Sequence, residues 1–240
     1  MASVYGILGY PLSHSFSPAY FKEKFDKLRI QASYRIFELE NIHLFPDLLK
    51  SHPYLCGLNV TIPHKQTVIE HLDTLSDAAA AVGAVNCIDI REGLLRGYNT
   101  DVIGFEKSLR PLLKNRHRKA LILGNGGASL AVQFVLKKLE ISYLQVSRSQ
   151  PLRYEELSEE IIKEHLLIIN TTPLGMYPHV EEAPAIPYRH LTSHHLLYDL
   201  IYNPEETRFL LQGKEQGAAI KNGFEMLKLQ ADASWDIWSR

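Results

Sequence analysis

The sequence predicts an α/β protein, in which short strands and amphipathic helices alternate along the chain. Three observations support this fold class. Apolar runs of strand length recur, among them residues 4–8 and 120–123. Four consecutive alanines at residues 78–81 favour a helix. A glycine-rich turn at residues 124–129 separates a strand from a helix with an apolar face, which is typical of α/β layers.

The bulk composition is that of an ordinary globular protein. The chain has 240 residues, of which 45% are hydrophobic and 22% charged, a length that suits one large domain or two small ones. Its net charge of -1 argues against nucleic acid or an acidic membrane as the main partner. No apolar run approaches the roughly 20 residues that a membrane span needs. The N-terminus shows no signal-peptide pattern, so we expect a cytoplasmic protein.

The chain contains two cysteines, Cys56 and Cys87, which both fall in apolar predicted strands. Their spacing is not that of metal ligands. We therefore expect two buried free thiols rather than a disulfide or a zinc site.

The remaining elements are predicted in chain order. Ser17 followed by Pro18 is a typical helix start, with the serine hydroxyl as N-cap, and Phe21, Phe25 and Leu28 follow at helical spacing as a core face. Basic residues at 114–119 are interpreted as a solvated linker. Further strands are expected at residues 33–40, 54–58, 87–90, 94–98, 143–147, 166–170 and 196–202. Further helices are expected at residues 41–51, 65–72, 76–82, 101–113, 130–139, 154–164, 205–211 and 222–235.

The turn at residues 124–129 predicts a dinucleotide site. In such turns the first glycine allows the tight bend, the second lets the backbone approach a pyrophosphate, and the following helix offers unpaired N–H groups. Gly124 and Gly126 match the first two positions of Gly-x-Gly-x-x-Gly, while Ser129 occupies the third. Glycine turns also occur without a nucleotide, but the buried strand before this one and the amphipathic helix after it favour a cofactor.

The end of the next predicted strand distinguishes between cofactors. NAD sites usually place an acidic residue there for the ribose 2′-hydroxyl, whereas this chain reads Ser147-Arg148-Ser149. A guanidinium matches the oxygens of a 2′-phosphate. The sequence therefore predicts NADP rather than NAD, although Arg148 is also compatible with an ordinary surface arginine.

Lys65 and Asp101 are the leading candidates for proton transfer to a substrate. Residues 59–65, Asn-Val-Thr-Ile-Pro-His-Lys, follow a predicted strand and bring an amide, a hydroxyl and an amine to one region. Asp101 follows a second amide-bearing segment. An ammonium group held by a carboxylate can donate to a developing alkoxide. Taken singly, Lys65 could be a surface residue and Asp101 a helix N-cap.

Other polar residues near predicted strand ends are weaker candidates. Ser15 and Ser17 could donate hydrogen bonds to a substrate carboxylate, and capping is the alternative for Ser17. His14 and His64 have no acidic neighbour in sequence to orient them, so neither is a favoured acid–base residue.

Eight segments together resemble the shikimate dehydrogenase family, in the family's order and over nearly the whole chain. Any one of them is unspecific, but eight in order are a strong signal. They are residues 13–18 (Ser-His-Ser-Phe-Ser-Pro), 59–65, 83–86 (Gly-Ala-Val-Asn), 99–101 (Asn-Thr-Asp), 124–128 (Gly-Asn-Gly-Gly-Ala), 170–176 (Asn-Thr-Thr-Pro-Leu-Gly-Met), 198–204 (Tyr-Asp-Leu-Ile-Tyr-Asn-Pro) and 223–230 (Gly-Phe-Glu-Met-Leu-Lys-Leu-Gln).

The resemblance implies NADPH-dependent reduction of 3-dehydroshikimate to shikimate, with Lys65 as catalytic acid–base and Asp101 as its partner. It implies that Ser15 and Ser17 bind the substrate carboxylate. Residues around the ring would be Asn59, Thr61, Asn86, Asp101, Tyr202 and Gln230. Cofactor contacts would come from Gly124, Asn125, Gly126, Gly127, Ala128, Ser147, Arg148, Ser149, Thr171 and Gly223.

The resemblance also implies the architecture. Residues 1–101 would form an N-terminal α/β sandwich that binds substrate, with a C-terminal helix, residues 222–240, packing back on it. Residues 102–221 would form a Rossmann-type NADP domain, with the active-site cleft between the two and a monomer or homodimer as the assembly.

The chain departs from the family pattern at two places in this second domain. Asn125 stands in the glycine turn where a small alanine is common in the family. Only 21 residues separate Arg148 from Asn170, fewer than the family pattern leads us to expect. We therefore expect a trimmed nucleotide domain that lacks a strand or helix on the adenine side, with Arg153 as a substitute phosphate-binding base.

Two other functions fit the same residues. One is a relative that acts on quinate or uses NAD. The other is a non-catalytic member that binds shikimate and regulates another process. The presence of both Lys65 and Asp101 argues against the regulator, since a binding protein has no need of a proton-transfer pair, whereas the trimmed nucleotide domain is the feature in its favour.

Overall fold

The structure, a computed structural model, describes residues 3–12, 15–149 and 151–240. The chain forms two compact units: Met1–Thr100 together with Gln230–Arg240, and Asp101–Leu229. In the described part of the chain, no helix is long and apolar enough to cross a membrane.

The first unit is built on a six-stranded mixed sheet in the order β2-β1-β3-β5-β6-β4. β1 lies parallel to β2 and β3, and β5 pairs antiparallel with β3 and β6. Its strands are β1 (Ser3–Gly9), β2 (Ala32–Glu38), β3 (Leu55–Val60), β4 (Thr74–Leu75), β5 (Cys87–Arg91) and β6 (Leu94–Tyr98). Its helices are α1 (Ser17–Leu28), α2 (Phe45–Ser51) and α3 (Asp77–Val82).

The start of α1 differs from the sequence prediction. Ser17 is the first residue of the helix rather than its N-cap, and Phe16 occupies the cap position without a side-chain hydrogen bond. The predicted capping role of Ser17 is therefore wrong. Phe21 and Phe25 are buried as expected, whereas Leu28 is 53% exposed, because the helix ends there before a left-handed Arg29.

The short helices differ most from the predictions. Residues 62–66 form turns, and only Thr67–His71 is helical, as a 3-10 helix, so that Lys65 lies before the helix. Residues 41–51 divide into a 3-10 turn, Ile42–Leu44, and α2. The two-residue strand β4 was not predicted from the sequence; it is too short to show a pattern.

Aromatic side chains fill the core on one face of this sheet, and Trp238 is central to them. Its ring stacks on Tyr5 with centroids 5.0 Å apart. Its indole N–H donates to the carbonyl of Ile88 at 2.9 Å. A Cβ on Gly57 would lie 2.3 Å from the Trp238 nitrogen, so a glycine is needed at that point in β3. The last helix is thus anchored in the first unit through its C-terminal residues.

Cys56 and Cys87 are free thiols, as predicted, in β3 and β5. Cys87 is buried, and burial raises its pKa to about 12. Cys56 is only half-buried, so the prediction of two buried thiols is wrong for that residue.

The second unit contains a five-stranded, wholly parallel sheet in the order β11-β10-β9-β7-β8. The strands are β7 (Lys119–Leu123), β8 (Ser142–Val146), β9 (Leu167–Asn170), β10 (Leu196–Asp199) and β11 (Ala219–Lys221). The helices are α4 (Asp101–Leu109), α5 (Gly127–Lys138), α6 (Glu159–Glu164), α7 (Arg208–Glu215) and α8 (Phe224–Trp238), the last of which enters the first unit at Gln230. The helix predicted at residues 101–113 ends at Leu109, before a 3-10 turn that contains Pro111.

This sheet is shorter than a full doubly wound sheet, as predicted. A doubly wound dinucleotide fold has three strands in each half. Here β8 is an edge strand, and the third strand of that half is replaced by a single bridge between Val146 and Leu152. The stretch predicted as one helix, residues 154–164, contains a 3-10 turn, Tyr154–Glu156, and the short α6, because Ser158 caps a new helix start.

A fully buried carboxylate, that of Asp199, organises the ends of two strands in the second unit. Asp199 ends β10 and is 0% exposed. Its oxygens accept hydrogen bonds from the amide nitrogen of Asn170 at 3.1 Å, the backbone N–H of Ile201 at 3.0 Å and the hydroxyl of Thr207 at 2.5 Å. These bonds hold together the loops that follow β9 and β10. Burial raises the pKa of Asp199 from 3.8 to about 7.

The raised pKa predicts a pH-dependent stability. The native state holds a proton on Asp199 that the unfolded chain releases, so this group's contribution to stability is complete below pH 3.8 and is lost as the pH rises towards 7. The loss amounts to at most about 4 kcal/mol, at 1.36 kcal/mol per pKa unit. In Asp199→Asn, which keeps the shape, we expect this component to vanish. The unfolding free energy of Asp199→Asn, relative to that of wild type, should therefore increase between pH 4 and pH 7.

Urea unfolding at a series of pH values measures this difference. Asp26→Asn, a change at an exposed carboxylate, is the matched control and should run parallel to wild type. Parallel curves for Asp199→Asn and wild type would show that Asp199 is ionised in the native state across this range.

Candidate active site

Five buried polar side chains meet at one end of the first unit's sheet, and we call them the amide cluster. Asn59 lies in β3, Asn86 directly before β5, and Thr100 two residues after β6, while Gln230 and Ser234 lie one turn apart in α8. None is more than 9% exposed. Asn59 and Asn86 are neighbours because Asn59 is paired in register with Cys87.

Asn86 and Thr100 form the centre of the amide cluster. The amide oxygen of Asn86 accepts from the backbone N–H of Thr100 at 2.6 Å, and its amide nitrogen donates to the Thr100 hydroxyl at 3.0 Å. The amide oxygen of Gln230 accepts from both residues at 3.4 Å. Gln230 is therefore brought to the cluster by α8, as the resemblance implies.

Asn59 is held from three sides. Its amide oxygen accepts from the hydroxyl of Tyr34 at 2.8 Å. Its amide nitrogen donates to the hydroxyl of Ser234 at 2.9 Å and to the backbone carbonyl of Asn86 at 3.3 Å. These contacts fix which end of the amide faces which neighbour.

The predicted carboxylate-binding serines lie at the start of α1. Ser17 is 7% exposed, and its side chain interacts with that of Tyr34, whose pKa is raised by burial. Ser17 is thereby connected through Tyr34 to Asn59. Ser15 is half-buried, and its backbone N–H donates to the carbonyl of Leu12 at 3.2 Å. The preceding Ser13 and His14 of the motif lie outside the described residues.

Lys65 and Asp101 are each fixed by the backbone around them. Lys65 is half-buried in the turns after β3, and its carbonyl accepts from the N–H of Val85, next to Asn86, at 2.7 Å. Asp101 directly follows Thr100 and is the first residue of α4, where it is 7% exposed. A carboxylate in the first turn of a helix is stabilised by the helix dipole. The Lys65–Asp101 pairing stays a prediction.

Two further residues of the segment 59–65 have defined contacts. Thr61 is half-buried, and its backbone N–H donates to the carbonyl of Leu8 at 2.9 Å. His64 is 3% exposed, and its ring nitrogen is hydrogen-bonded to the carbonyl of Leu39. His64 therefore has a structural contact that accounts for its presence.

In the second unit, the glycine turn has the shape that a pyrophosphate needs. Gly124 has a φ of 103°, and a Cβ there would lie 2.8 Å from the hydroxyl of Thr171. Gly126 is the N-cap of α5, without a side-chain cap, and a Cβ there would meet nothing within 4 Å. The start of α5, from Gly127 and Ala128, is thus open to a ligand. The residues present fit a dinucleotide phosphate.

The segment after β8 is tied to this turn. The amide of Asn125 donates to the hydroxyl of Ser149 at 2.7 Å, and the backbone N–H of Ser149 donates to the hydroxyl of Ser147 at 3.3 Å. Arg148, between them, is exposed. Arg153 is also exposed, and its backbone N–H donates to the carboxylate of Glu156. The segment that carries Arg148 is thus tied to the turn that would hold the pyrophosphate.

The other predicted site residues of the second unit are Thr171, Gly223 and Tyr202. The Thr171 hydroxyl donates to the carbonyl of Leu123 at 2.7 Å. A Cβ on Gly223 would lie 2.0 Å from the carbonyl oxygen of Leu200, so glycine is required there. Tyr202 is half-buried, which raises its pKa. Among the residues described, no group of three or more His, Cys, Asp or Glu side chains could hold a metal ion.

Sequence reasoning missed Tyr34, Thr100 and Ser234 as members of these networks. Thr100 lies within the quoted segment 99–101, and Ser234 follows Gln230 by one helical turn, so both had a usable signal. Tyr34 had no such signal in the sequence, because tyrosine is an ordinary residue in a strand of alternating polarity.

Comparison with known proteins agrees with these features. A family model for the shikimate dehydrogenase substrate binding domain matches residues 7–88. The chain is 42% identical over 250 residues to the shikimate dehydrogenase (NADP(+)) of Clostridium beijerinckii, with 98% of this chain and 91% of the relative covered. It is 38% identical over 255 residues to that of Methanococcus maripaludis, with the same coverage.

A solved structure extends the likeness to the fold. Shikimate 5-dehydrogenase from Thermus thermophilus, in complex with NADP(H) and shikimate, superposes with a TM-score of 0.88 at 29% identity. The superposition covers 99% of this chain and 93% of that one. By its sequence and its structure alike, this chain belongs to the shikimate dehydrogenase family.

Proposed function

We propose that this chain catalyses the reversible NADPH-dependent reduction of 3-dehydroshikimate to shikimate, a step of chorismate and aromatic amino-acid biosynthesis. The observation that carries the proposal is the amide cluster. It places buried neutral donors and acceptors beside the segments that carry Lys65 and Asp101. Such a set suits a small ligand with several hydroxyl groups, since each hydroxyl both donates and accepts.

Lys65 and Asp101 perform the proton transfer in this proposal. When bound, NADPH supplies a hydride to the substrate carbonyl carbon. The Lys65 ammonium donates a proton to the oxygen as it becomes an alkoxide, and takes it back in the reverse direction. The Asp101 carboxylate keeps Lys65 charged and oriented. Ser15 and Ser17 bind the substrate carboxylate. The ring hydroxyls are bound by Asn59, Thr61, Asn86, Tyr202 and Gln230.

The cofactor is held by the second unit. The backbone of Gly124, Asn125, Gly126, Gly127 and Ala128 binds the pyrophosphate at the start of α5. Arg148 would bind the 2′-phosphate of the adenosine, and further cofactor contacts would come from Ser147, Ser149, Thr171 and Gly223. Their support is the open N-terminus of α5 and the Asn125–Ser149 hydrogen bond.

The wider setting is proposed with the function. The first unit acts as the substrate domain and the second as the NADP domain. The protein works in the cytoplasm, as a monomer or a homodimer, on a small-molecule substrate. The family's biosynthetic role supports this setting.

Replacement of Lys65 by Ala should abolish most of the activity. Removal of a positioned acid–base group lowers kcat by on the order of 100-fold or more, while the KM for NADP should stay near the wild-type value. The measurement follows NADP and NAD reduction with shikimate and with quinate at steady state. Lys50→Ala, at an exposed lysine paired with the exposed Asp47 on α2, is the matched control.

The same assay separates the alternatives. Faster turnover of quinate, or of NAD, by wild type would identify the neighbouring activity instead. Shikimate binding without turnover would indicate a regulatory member. A Lys65→Ala variant that keeps most of the wild-type rate would refute the catalytic assignment.

Replacement of Arg148 by Ala should weaken NADP selectively. A charge-assisted contact with a 2′-phosphate contributes about 1.5–3 kcal/mol, so kcat/KM for NADP should fall roughly 10- to 100-fold while that for NAD changes little. Steady-state kinetics with each cofactor at saturating shikimate give both values. The exposed Arg189→Ala is the control, and equal KM values for the two cofactors, unchanged in Arg148→Ala, would refute the role.

A further inference from the structure

Ser234 is the most deeply buried member of the amide cluster. Its side chain is 0% exposed. Its hydroxyl accepts from the amide nitrogen of Asn59 at 2.9 Å, donates to the carbonyl of Gln230 at 3.0 Å, and lies 3.1 Å from the hydroxyl of Thr100. A serine that bonds only to the carbonyl four residues back is common in helices. The contacts with Asn59 and Thr100 go beyond that local pattern.

The bond to Ser234 determines which end of Asn59 a ligand can use. The two hydrogens of the Asn59 amide nitrogen are directed to the Ser234 hydroxyl and to the carbonyl of Asn86. The amide oxygen accepts from Tyr34, and an amide oxygen has room for a second donor. In this arrangement Asn59 offers a hydrogen-bond acceptor to a ligand, and both its donors are engaged inside the protein.

We propose that Ser234 is a positioning residue that acts through Asn59: it holds the amide in the orientation that accepts a hydrogen bond from a hydroxyl of the substrate. This inference rests on the proposed function, because it takes Asn59 as a substrate-binding residue. Without the Ser234 hydroxyl, the Asn59 amide loses a buried hydrogen-bond partner and can rotate towards other acceptors. Its amide oxygen is then no longer held in place to accept from the substrate hydroxyl.

The test is whether a substitution of Ser234 changes the KM for shikimate without changing the KM for NADP or the kcat. In Ser234→Ala, the KM for shikimate should rise about tenfold, equivalent to the loss of one well-placed hydrogen bond, while the KM for NADP and the kcat stay within about threefold of wild type. Ser234→Cys has nearly the same volume and a weak donor and acceptor. It should show the same rise in KM, and it replaces the alanine variant if that protein does not fold.

Ser108→Ala is the matched control. Ser108 also lies in a helix, is 1% exposed, donates to the carbonyl four residues back at 2.7 Å, and has a distant hydroxyl partner in Tyr198 at 2.7 Å. Its loss should reduce stability to a similar extent without changing the KM for shikimate. Similar increases in that KM for Ser108→Ala and Ser234→Ala would overturn the proposal, since a general loss of stability would then explain both.

A double-mutant cycle identifies the route of the effect. In an Asn59→Ala background, Ser234→Ala should raise the KM for shikimate by less than about threefold, because its target is gone. The full tenfold rise in that background would overturn action through Asn59, as would an unchanged KM in Ser234→Cys. Wild-type turnover of shikimate is measured first. Its absence refutes the proposed function, whereas normal turnover with an unaffected Ser234 variant refutes this inference alone.

Discussion

The hydrogen bond between Asn59 and Ser234 joins residues 175 positions apart, and it requires the last helix to pack on the N-terminal sheet. Asn59 is carried by the third strand and Ser234 by the last helix, so the amide cluster exists only when the end of the chain is packed on the N-terminal sheet. Trp238 secures that packing through its stacking on Tyr5 and its bond to Ile88. A small residue at Gly57 makes the space for it. Stability of the fold and integrity of the site thus share the same contacts.

Burial restrains the side chains of the amide cluster, because an unpaired polar group there would reduce the stability of the fold. A buried amide that lost its partners would be destabilising by about 1–3 kcal/mol, so each donor and acceptor restrains its neighbours. Neutral amides and hydroxyls also avoid the larger desolvation penalty of buried charges. In the second unit the buried side chain of Asp199, whose pKa is raised by burial, accepts from three donors and connects the loops after β9 and β10. In each unit, buried polar groups restrain the loops at the ends of the strands.

The sequence predicts the fold class and most strands along the chain well, because long apolar runs and the glycine turn are strong local signals. The trimmed second sheet is expected from the short spacing between Arg148 and Asn170 relative to the family pattern. Predictions for short helices are less accurate. Residues 65–72 contain apolar residues at helical spacing, yet Pro63 and the turns around it delay the helix to Thr67. Ser17 has the sequence of a cap, but it is the first residue of α1 and its side chain interacts with Tyr34. The contact partner of Ser17 lies in β2, so the local sequence around Ser17 does not predict it.

Because the sheet of the second unit is trimmed, the segment that follows β8, residues 147–149, has fewer neighbouring strands to hold it in place. In a full doubly wound half, a third strand would lie beyond β8, whereas here β8 is at the edge and one bridge at Leu152 replaces that strand. The segment that carries Arg148 therefore gains order from its own hydrogen bonds, above all that between Asn125 and Ser149. Asn125 stands where the family commonly has a small alanine. In this chain its longer side chain links the glycine turn, residues 124–129, to the segment at residues 147–149, a link that alanine could not make. The asparagine in the turn and the trimmed sheet thus both affect how residues 147–149 are held.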